Sequence, residues 1–249
     1  MSRIVTRRNL LIAGVAGAAG VVLARSPRVL PPTYGHLLRM GDNLTYAMHR
    51  AILSRRALAK EYQPGDVTSF PAIGTTDPGE RDTPLAETYR GLRTGGFLDW
   101  GLSVEGLVAT PRRFSLAELR AMPARTQITR HTCEEGWSAI GEWTGVPLSL
   151  VLGAAGILPG ARVVKYTSYD GWVDSIDMLD ALHPQTILAY RMNGRPLPIG
   201  HGAPVRLRVE TQIGYKSMKY LDRIVVIDEF DDGGEQGNIQ NGWAWYTGI

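Results

Sequence analysis

The chain has 249 residues, with 27 lysines and arginines against 24 acidic residues. The excess of basic charge lies entirely in the first 24 residues, which hold three arginines and no acid, so a nucleic-acid partner has no bulk electrostatic support. The remainder, about 225 residues, is enough for one large domain or two small ones, and 29 glycines with 15 prolines favour a turn-rich, β-containing fold over a helix bundle.

Residues 1–24 read as an export signal. Arg3, Arg7 and Arg8 precede an unbroken apolar and glycine run from Leu10 to Leu23, too short for a confident membrane span. The Arg7-Arg8 pair before Asn9-Leu10-Leu11 matches a twin-arginine signal, which carries folded proteins out of the cytoplasm. A periplasmic or other extracytoplasmic location is therefore expected, with the signal either cleaved near Ala24 or kept as a membrane anchor.

Residues 25–96 are expected to be a tether, a helix and an irregular wrapping segment. Pro27, Pro31 and Pro32 make the tether, and Asp42-Asn43 caps a helix running to about Lys60. From 63 to 96, Pro64-Gly65, Pro71, Gly74, Pro78-Gly79, Pro84 and Gly95-Gly96 interrupt the chain too often for regular structure. A loop of that length in a compact domain is either functional or wrapped on the surface.

Residues 97–249 change in character to short β-type runs. Strands are expected at Ser103 to Ala109, Gln127 to Cys133, Val163 to Ser168, Ile187 to Met192, Val205 to Val209 and Arg223 to Asp228. Short helices are expected at Ser115 to Met122 behind a Ser-x-x-Glu capping box, from Pro147 to Ala155, and near Met178 to Leu182. Asn193-Gly194 is a hairpin turn. The result is an α+β class of mainly antiparallel strands with interspersed helices, residues 25–249 forming one compact domain.

Cys133, the single cysteine, has no internal disulfide partner. It is therefore a buried hydrophobe, a nucleophile or a metal ligand. Glu134 and Glu135 raise the pKa of a free thiol, which disfavours a nucleophile, whereas a high-valent metal deprotonates the sulfur itself. The five histidines lack zinc spacing, so most other ligands to a metal at Cys133 would come from a cofactor.

Four motifs then occur in order: Cys133-Glu134-Glu135-Gly136-Trp137-Ser138, Trp143-Thr144-Gly145-Val146-Pro147-Leu148, Asn193-Gly194-Arg195-Pro196-Leu197-Pro198, and His201-Gly202-Ala203-Pro204-Val205-Arg206-Leu207. Together they resemble the sulfite oxidase-like family of molybdopterin-dependent oxidoreductases, in particular its exported bacterial branch, which includes the catalytic subunit of periplasmic methionine sulfoxide reductase. The resemblance covers roughly residues 40 to 230.

The resemblance implies a Mo-molybdopterin cofactor with Cys133 as the thiolate ligand to molybdenum. It also implies cofactor contacts from Asn43 and Tyr46, which share a helix face. Further contacts fall on Ser168 (Thr167 if the alignment slips by one), His201, Arg206, and the segment Ser217, Met218 and Lys219. The acid that usually follows the Asn-x-x-Tyr pair is Ala47 here. Glu135 and His131 become candidate proton carriers, because reducing an S=O or N=O group consumes two protons.

The implied reaction is two-electron oxygen-atom transfer on a small oxo-substrate, either reduction of a sulfoxide or N-oxide, or oxidation of sulfite. No haem-binding Cys-x-x-Cys-His and no cysteine cluster for iron and sulfur occur, so a membrane b-type cytochrome is the expected electron partner, with the N-terminus a further route to the membrane. Two competing readings are a cofactor-free transpeptidase, with Cys133 attacking and His201 or His131 as base, and a noncatalytic pterin-binding domain. The aromatic tail Trp243 to Ile249 is expected to pack on the core, line a substrate entrance or dock a partner.

Overall fold

The computed structural model describes residues 37–53, 57–231, 237–239 and 241–249. The signal and the tether prolines lie outside these residues. Among the described residues, no helix is long and apolar enough to cross a membrane.

Helix α1 (Leu37–Ile52) begins before the expected Asp42-Asn43 cap and stops well short of Lys60. It buries Tyr46 and Ala47 and half-buries Arg50, while Leu44, Thr45 and Ile52 stay exposed. The 63–96 region departs from expectation more strongly, because it contains helix α2 (Pro84–Thr94). The residues that read as breakers are its boundaries: the Thr83 side chain accepts from the Ala86 amide, Pro84 occupies the first turn, and Gly95 closes the end. Proline suits the first turn, where its missing N–H would have no helical partner. Ala86 and Tyr89 form the buried face, and the Tyr89 hydroxyl donates to the Ala203 carbonyl at 2.8 Å.

Among the described residues, ten strands form two sheets. The first runs β2 (Arg112–Ser115), β1 (Gly101–Gly106), β10 (Leu221–Ile227), β5 (Val163–Ser168), β6 (Val173–Asp177), and only its β1–β10 pair is parallel. The second runs β3 (Arg125–Thr132), β4 (Ser138–Pro147), β7 (Ile187–Met192), β8 (Arg195–Pro196), with β9 (Arg206–Arg208) also on β7, all antiparallel. The α+β expectation holds. Strands β2, β4 and β6 were not anticipated: two are short, and β4 is read in sequence as a motif. At the β7–β8 hairpin, Asn193 and Gly194 take positive φ, 50° and 73°, as the two-residue turn requires.

Helices α3 (Leu116–Ala121), α4 (Leu148–Ala155) and α5 (Met178–Ala181) fall where capping signals place them. The α3 capping box is complete, Ser115 accepting from the Glu118 amide while Glu118 accepts from the Ser115 amide. In α4 the spacing Leu148, Val151, Leu152, Ala155 buries one face. It packs into the main core with Trp100, Leu102 and Val104 from β1 and its approach, Val164 and Tyr166 from β5, Leu188 from β7, and Ile224 and Val226 from β10. Both sheets thus share one apolar core, and the loops at the β3, β6 and β9 ends carry the polar side chains considered next.

The second motif has a packing reason. The β4–β7 register shifts between Thr144 and Gly145, leaving Tyr190 of β7 as the extra residue, and a Cβ at Gly145 would stand 2.2 Å from the Leu188 carbonyl oxygen. Only glycine permits β7 to approach there. The same strand aims Trp143 inward, fully buried beneath the cavity.

Candidate active site at Cys133

β3 ends at Thr132, and the chain turns back into β4 through Cys133 to Trp137. The Gly136 amide donates to the Cys133 carbonyl at 3.1 Å, and the Cys133 amide donates to the Trp137 carbonyl at 2.9 Å. This tight turn places the Cys133 sulfur on the wall of a cavity of about 260 Å³. Cys133 is 4% exposed, and burial followed by the charges of Glu134 and Glu135 pushes its thiol up to about 11. The Glu135 amide, 3.5 Å from Sγ, only partly offsets this. A free thiolate at neutral pH is therefore disfavoured, which sets aside the transpeptidase reading.

Eight of the eleven expected site residues line this one cavity: His131, Cys133, Glu135, His201, Arg206, Ser217, Met218 and Lys219. They come from β3, the β3–β4 turn, β9 and the segments flanking β9, regions far apart in sequence. Ser168 lies just behind, its hydroxyl 2.6 Å from Asp170 Oδ1, and Asp170 itself lines the cavity. Thr167 faces elsewhere, with its hydroxyl on Asp222 Oδ1 at 2.5 Å.

Asn43 and Tyr46 are not brought to the cavity. The Tyr46 hydroxyl donates to Asp177 Oδ2 at 2.7 Å, and its ring packs on Trp245 and Tyr246 at 5.5 and 5.1 Å. Those contacts dock α1 onto α5 and the tail; Asn43 sits on the same helix, half-buried.

Beneath the cavity two guanidinium groups flank the Trp143 ring, Arg206 at 5.1 Å and Arg208 at 4.5 Å. Both arginines are buried, yet the neighbourhood holds one matching carboxylate, Glu210, which Arg208 engages through Nε and Nη2 at 3.0 and 2.8 Å. Among the described residues Arg206 donates only to the carbonyls of His201 and Ser217, and its buried Nε has no partner. Burial, then Arg208, pulls its pKa down to about 9. An uncompensated buried cation is costly, and an anion entering the cavity relieves it. This donor set fits a phosphate-bearing, dithiolene-bearing cofactor: a buried guanidinium with an unpartnered Nε for the anion, and a thiol that ionises only beside a cation.

Two expected roles change on inspection. His131 is 8% exposed, and burial and then Arg208 pull its pKa down to about 2, which favours the neutral ring. Lys219 is not a free cation. Its ammonium donates to the carbonyls of Ile73 at 2.8 Å, Gly200 at 3.3 Å and, closer still, Thr75, holding the 73–75 backbone over the cavity. Burial and then Arg206 lower its pKa to about 8.

The wall so held was missed in sequence. Phe70 sits among His131, Trp137, Trp143 and His201, with ring centroids 5.1, 5.9, 5.4 and 5.6 Å away. Pro71 to Thr75 continue the wall, Arg81 ties it down through the Asp170 carbonyl and the Thr75 hydroxyl, and Trp172 and Trp243 complete the rim. The length of the 63–96 segment was the available signal. The tail does two of the things expected of it: Trp243 lines the cavity, while Trp245 and Tyr246 are buried against Tyr46.

The sequence profile of the oxidoreductase molybdopterin binding domain matches residues 94–234, more than half of the chain. The chain belongs to that family. Its cofactor is accordingly molybdopterin with molybdenum, and it is an oxidoreductase by class. The matched range includes every cavity residue from His131 to Lys219 and excludes Asn43 and Tyr46.

A putative protein-methionine-sulfoxide reductase subunit YedZ1 of Azospira oryzae is 41% identical over 59% of this chain and 55% of its own length. Two proteins named protein-methionine-sulfoxide reductase catalytic subunit MsrP are also similar. That of Ralstonia nicotianae is 30% identical over 98% of this chain and 75% of its own length, and that of Xanthomonas campestris pv. campestris is 32% identical over 61% and 52%. The chain thus spans little more than half of the first and third of these relatives. Among solved structures, the sulfane dehydrogenase SoxCD from Paracoccus pantotrophus aligns with a TM-score of 0.50 and 26% identity, over 53% of this chain and 39% of that one.

Proposed function

We propose that this protein is an exported molybdopterin enzyme that reduces a sulfoxide, methionine sulfoxide in particular, by two-electron oxygen-atom transfer. The observation that carries this reading is the pairing, in one cavity, of the Cys133 thiol with the buried Arg206 guanidinium, whose Nε has no partner among the described residues. Three relatives bear names of protein-methionine-sulfoxide reductase subunits, which favours a sulfoxide over sulfite.

Cys133 would supply the thiolate to the metal, and Arg206, with His201 and the backbone of Ser217 and Met218, would hold the pterin and its phosphate, while Lys219 holds the 73–75 backbone beside them. The bound cofactor supplies the two electrons and the site to which oxygen is transferred. The chain supplies the rest. Phe70 and Trp137, with the buried Trp143 packed behind Phe70, exclude water and shape an apolar wall suited to a thioether product. Glu135, exposed at the mouth with its carboxylate accepting from Trp137 Nε1 at 3.1 Å, is placed to relay protons from solvent. Glu134, whose Oε2 lies 3.6 Å from Sγ, brings a second carboxylate deeper into the site.

Export is read from Arg7-Arg8 and the apolar run behind them, and the location is periplasmic. With a single cysteine the chain binds no iron–sulfur cluster of its own, so electrons enter from a membrane partner, read as a b-type cytochrome. The test is an assay of purified protein with a reduced dye against sulfoxides, N-oxides and, with an oxidised acceptor, sulfite. Turnover should be fastest with methionine sulfoxide. Sulfite oxidation without sulfoxide reduction contradicts the proposal.

A further inference from the structure

His131 stands on the cavity wall, and an imidazole that accepts a hydrogen bond at one ring nitrogen carries its proton on the other. Which nitrogen faces the ligand decides what the wall can recognise. Arg208 Nη1 lies 2.9 Å from His131 Nδ1. A guanidinium only donates and does not deprotonate, so Nδ1 must be the acceptor and the proton must reside on Nε2.

The network behind this contact leaves no alternative. Arg208 is 1% exposed, and its Nε and Nη2 are both committed to Glu210. Glu210 is 2% exposed and is steadied by Gln127, whose Nε2 donates to Glu210 Oε1 at 3.0 Å and to the Gln185 carbonyl at 3.0 Å. On the other side of the ring, a Cβ at Gly214 would stand 2.5 Å from both Cε1 and Nε2 of His131. Gly214 therefore packs closely against that edge, both residues line the cavity, and Nε2 makes no hydrogen bond among the described residues.

We infer that Arg208 is a positioning residue, which with Glu210 and Gln127 locks His131 in the tautomer that presents Nε2–H to the cavity as a fixed donor for an acceptor oxygen of the incoming substrate. This rests on the sulfoxide reading for the identity of that oxygen, but the tautomer itself does not. A sulfoxide oxygen only accepts hydrogen bonds, so a wall nitrogen that can only donate is matched to it, whereas the other tautomer would meet it lone pair to lone pair. Arg208 touches neither substrate nor cofactor in this role.

The test is a long-range proton–nitrogen correlation spectrum of the full chain, cofactor-loaded and cofactor-free, with nitrogen-labelled histidine. The His131 signal is identified among the five histidines by its loss in His131→Gln. Wild type should show the Nε2–H pattern in both forms, and so should Arg208→Lys, which keeps a donor. Arg208→Met combined with Glu210→Gln, which leaves no unpaired buried charge, should populate the Nδ1–H form. It should also raise KM for methionine sulfoxide about tenfold, the worth of one hydrogen bond, at unchanged pterin content. An Nδ1–H pattern in wild type overturns the inference even if the double variant fails to fold, as does an unchanged pattern in a folded double variant. Absence of sulfoxide turnover in wild type, with the Nε2–H pattern present, instead defeats the proposed reaction and leaves the positioning role standing.

Discussion

At the scale of single residues, the site depends on what is missing as much as on what is present. Gly214 lies against the His131 ring, and any side chain there meets two ring atoms at 2.5 Å and Glu134 Oε2 at 3.2 Å. The ring cannot retreat, because Arg208 and Phe70 hold it from behind. Gly214→Ala should therefore destabilise the fold by about 1–3 kcal/mol, the usual cost of overpacking, and depress turnover further than a surface glycine change such as Gly153→Ala. Denaturant unfolding and the dye assay measure the two effects. None of this was legible in sequence, where Gly214 is one glycine among 29 and nothing local says which ring lies over it. Cys133, by contrast, stands out in sequence, because a lone thiol between acidic neighbours is already improbable as a nucleophile.

At the scale of elements, helix α1 docks through charge rather than through a broad apolar face. Arg50 reaches Asp177 at 2.9 Å and Asp180 at 2.5 Å, and Tyr46 donates to Asp177 as well. Two buried carboxylates share one guanidinium, so burial first, and then Asp180, push Asp177 up to about 6. A carboxyl whose folded pKa exceeds its unfolded value holds more protons in the folded state, so its contribution is present below about pH 4 and is lost as pH rises through about 6. Relative to Asp177→Asn, the wild-type urea midpoint should fall as pH rises from about 4 to about 6, and a constant difference would count against this account. The element scale also marks the limits of sequence reading. Val163–Ser168 and Ile187–Met192 were placed to the residue because they are apolar runs bounded by turns. Helix α2 was missed because Pro84 and Gly95, its two ends, read as breakers when no partner for Tyr89 was in view.

At the scale of the whole molecule, two sheets share one core and deliver side chains from β3, the β3–β4 turn, β9 and the segments flanking it to one cavity, which the 70–75 segment covers. Sequence gave access to the motif-bearing side of this cavity, because Cys133, His201 and Arg206 lie in stretches dense with glycine, proline and tryptophan. The opposite side, Phe70 to Thr75 clasped by Lys219, has no such density; its role arises from backbone carbonyls that no side-chain pattern announces. The spacing of Tyr46 from Asn43 likewise shows a shared helix face but not what that face meets, and in this structure Tyr46 meets Asp177.

The central claim is that Cys133 is the protein's ligand to molybdenum. X-ray absorption at the molybdenum edge, on wild type and on Cys133→Ser purified with equal pterin content, tests it most directly. Cys133→Ser should lose one sulfur neighbour of the metal together with sulfoxide turnover, since a serine oxygen replaces a soft thiolate donor. An unchanged sulfur count, or wild-type turnover in the variant, would contradict the assignment.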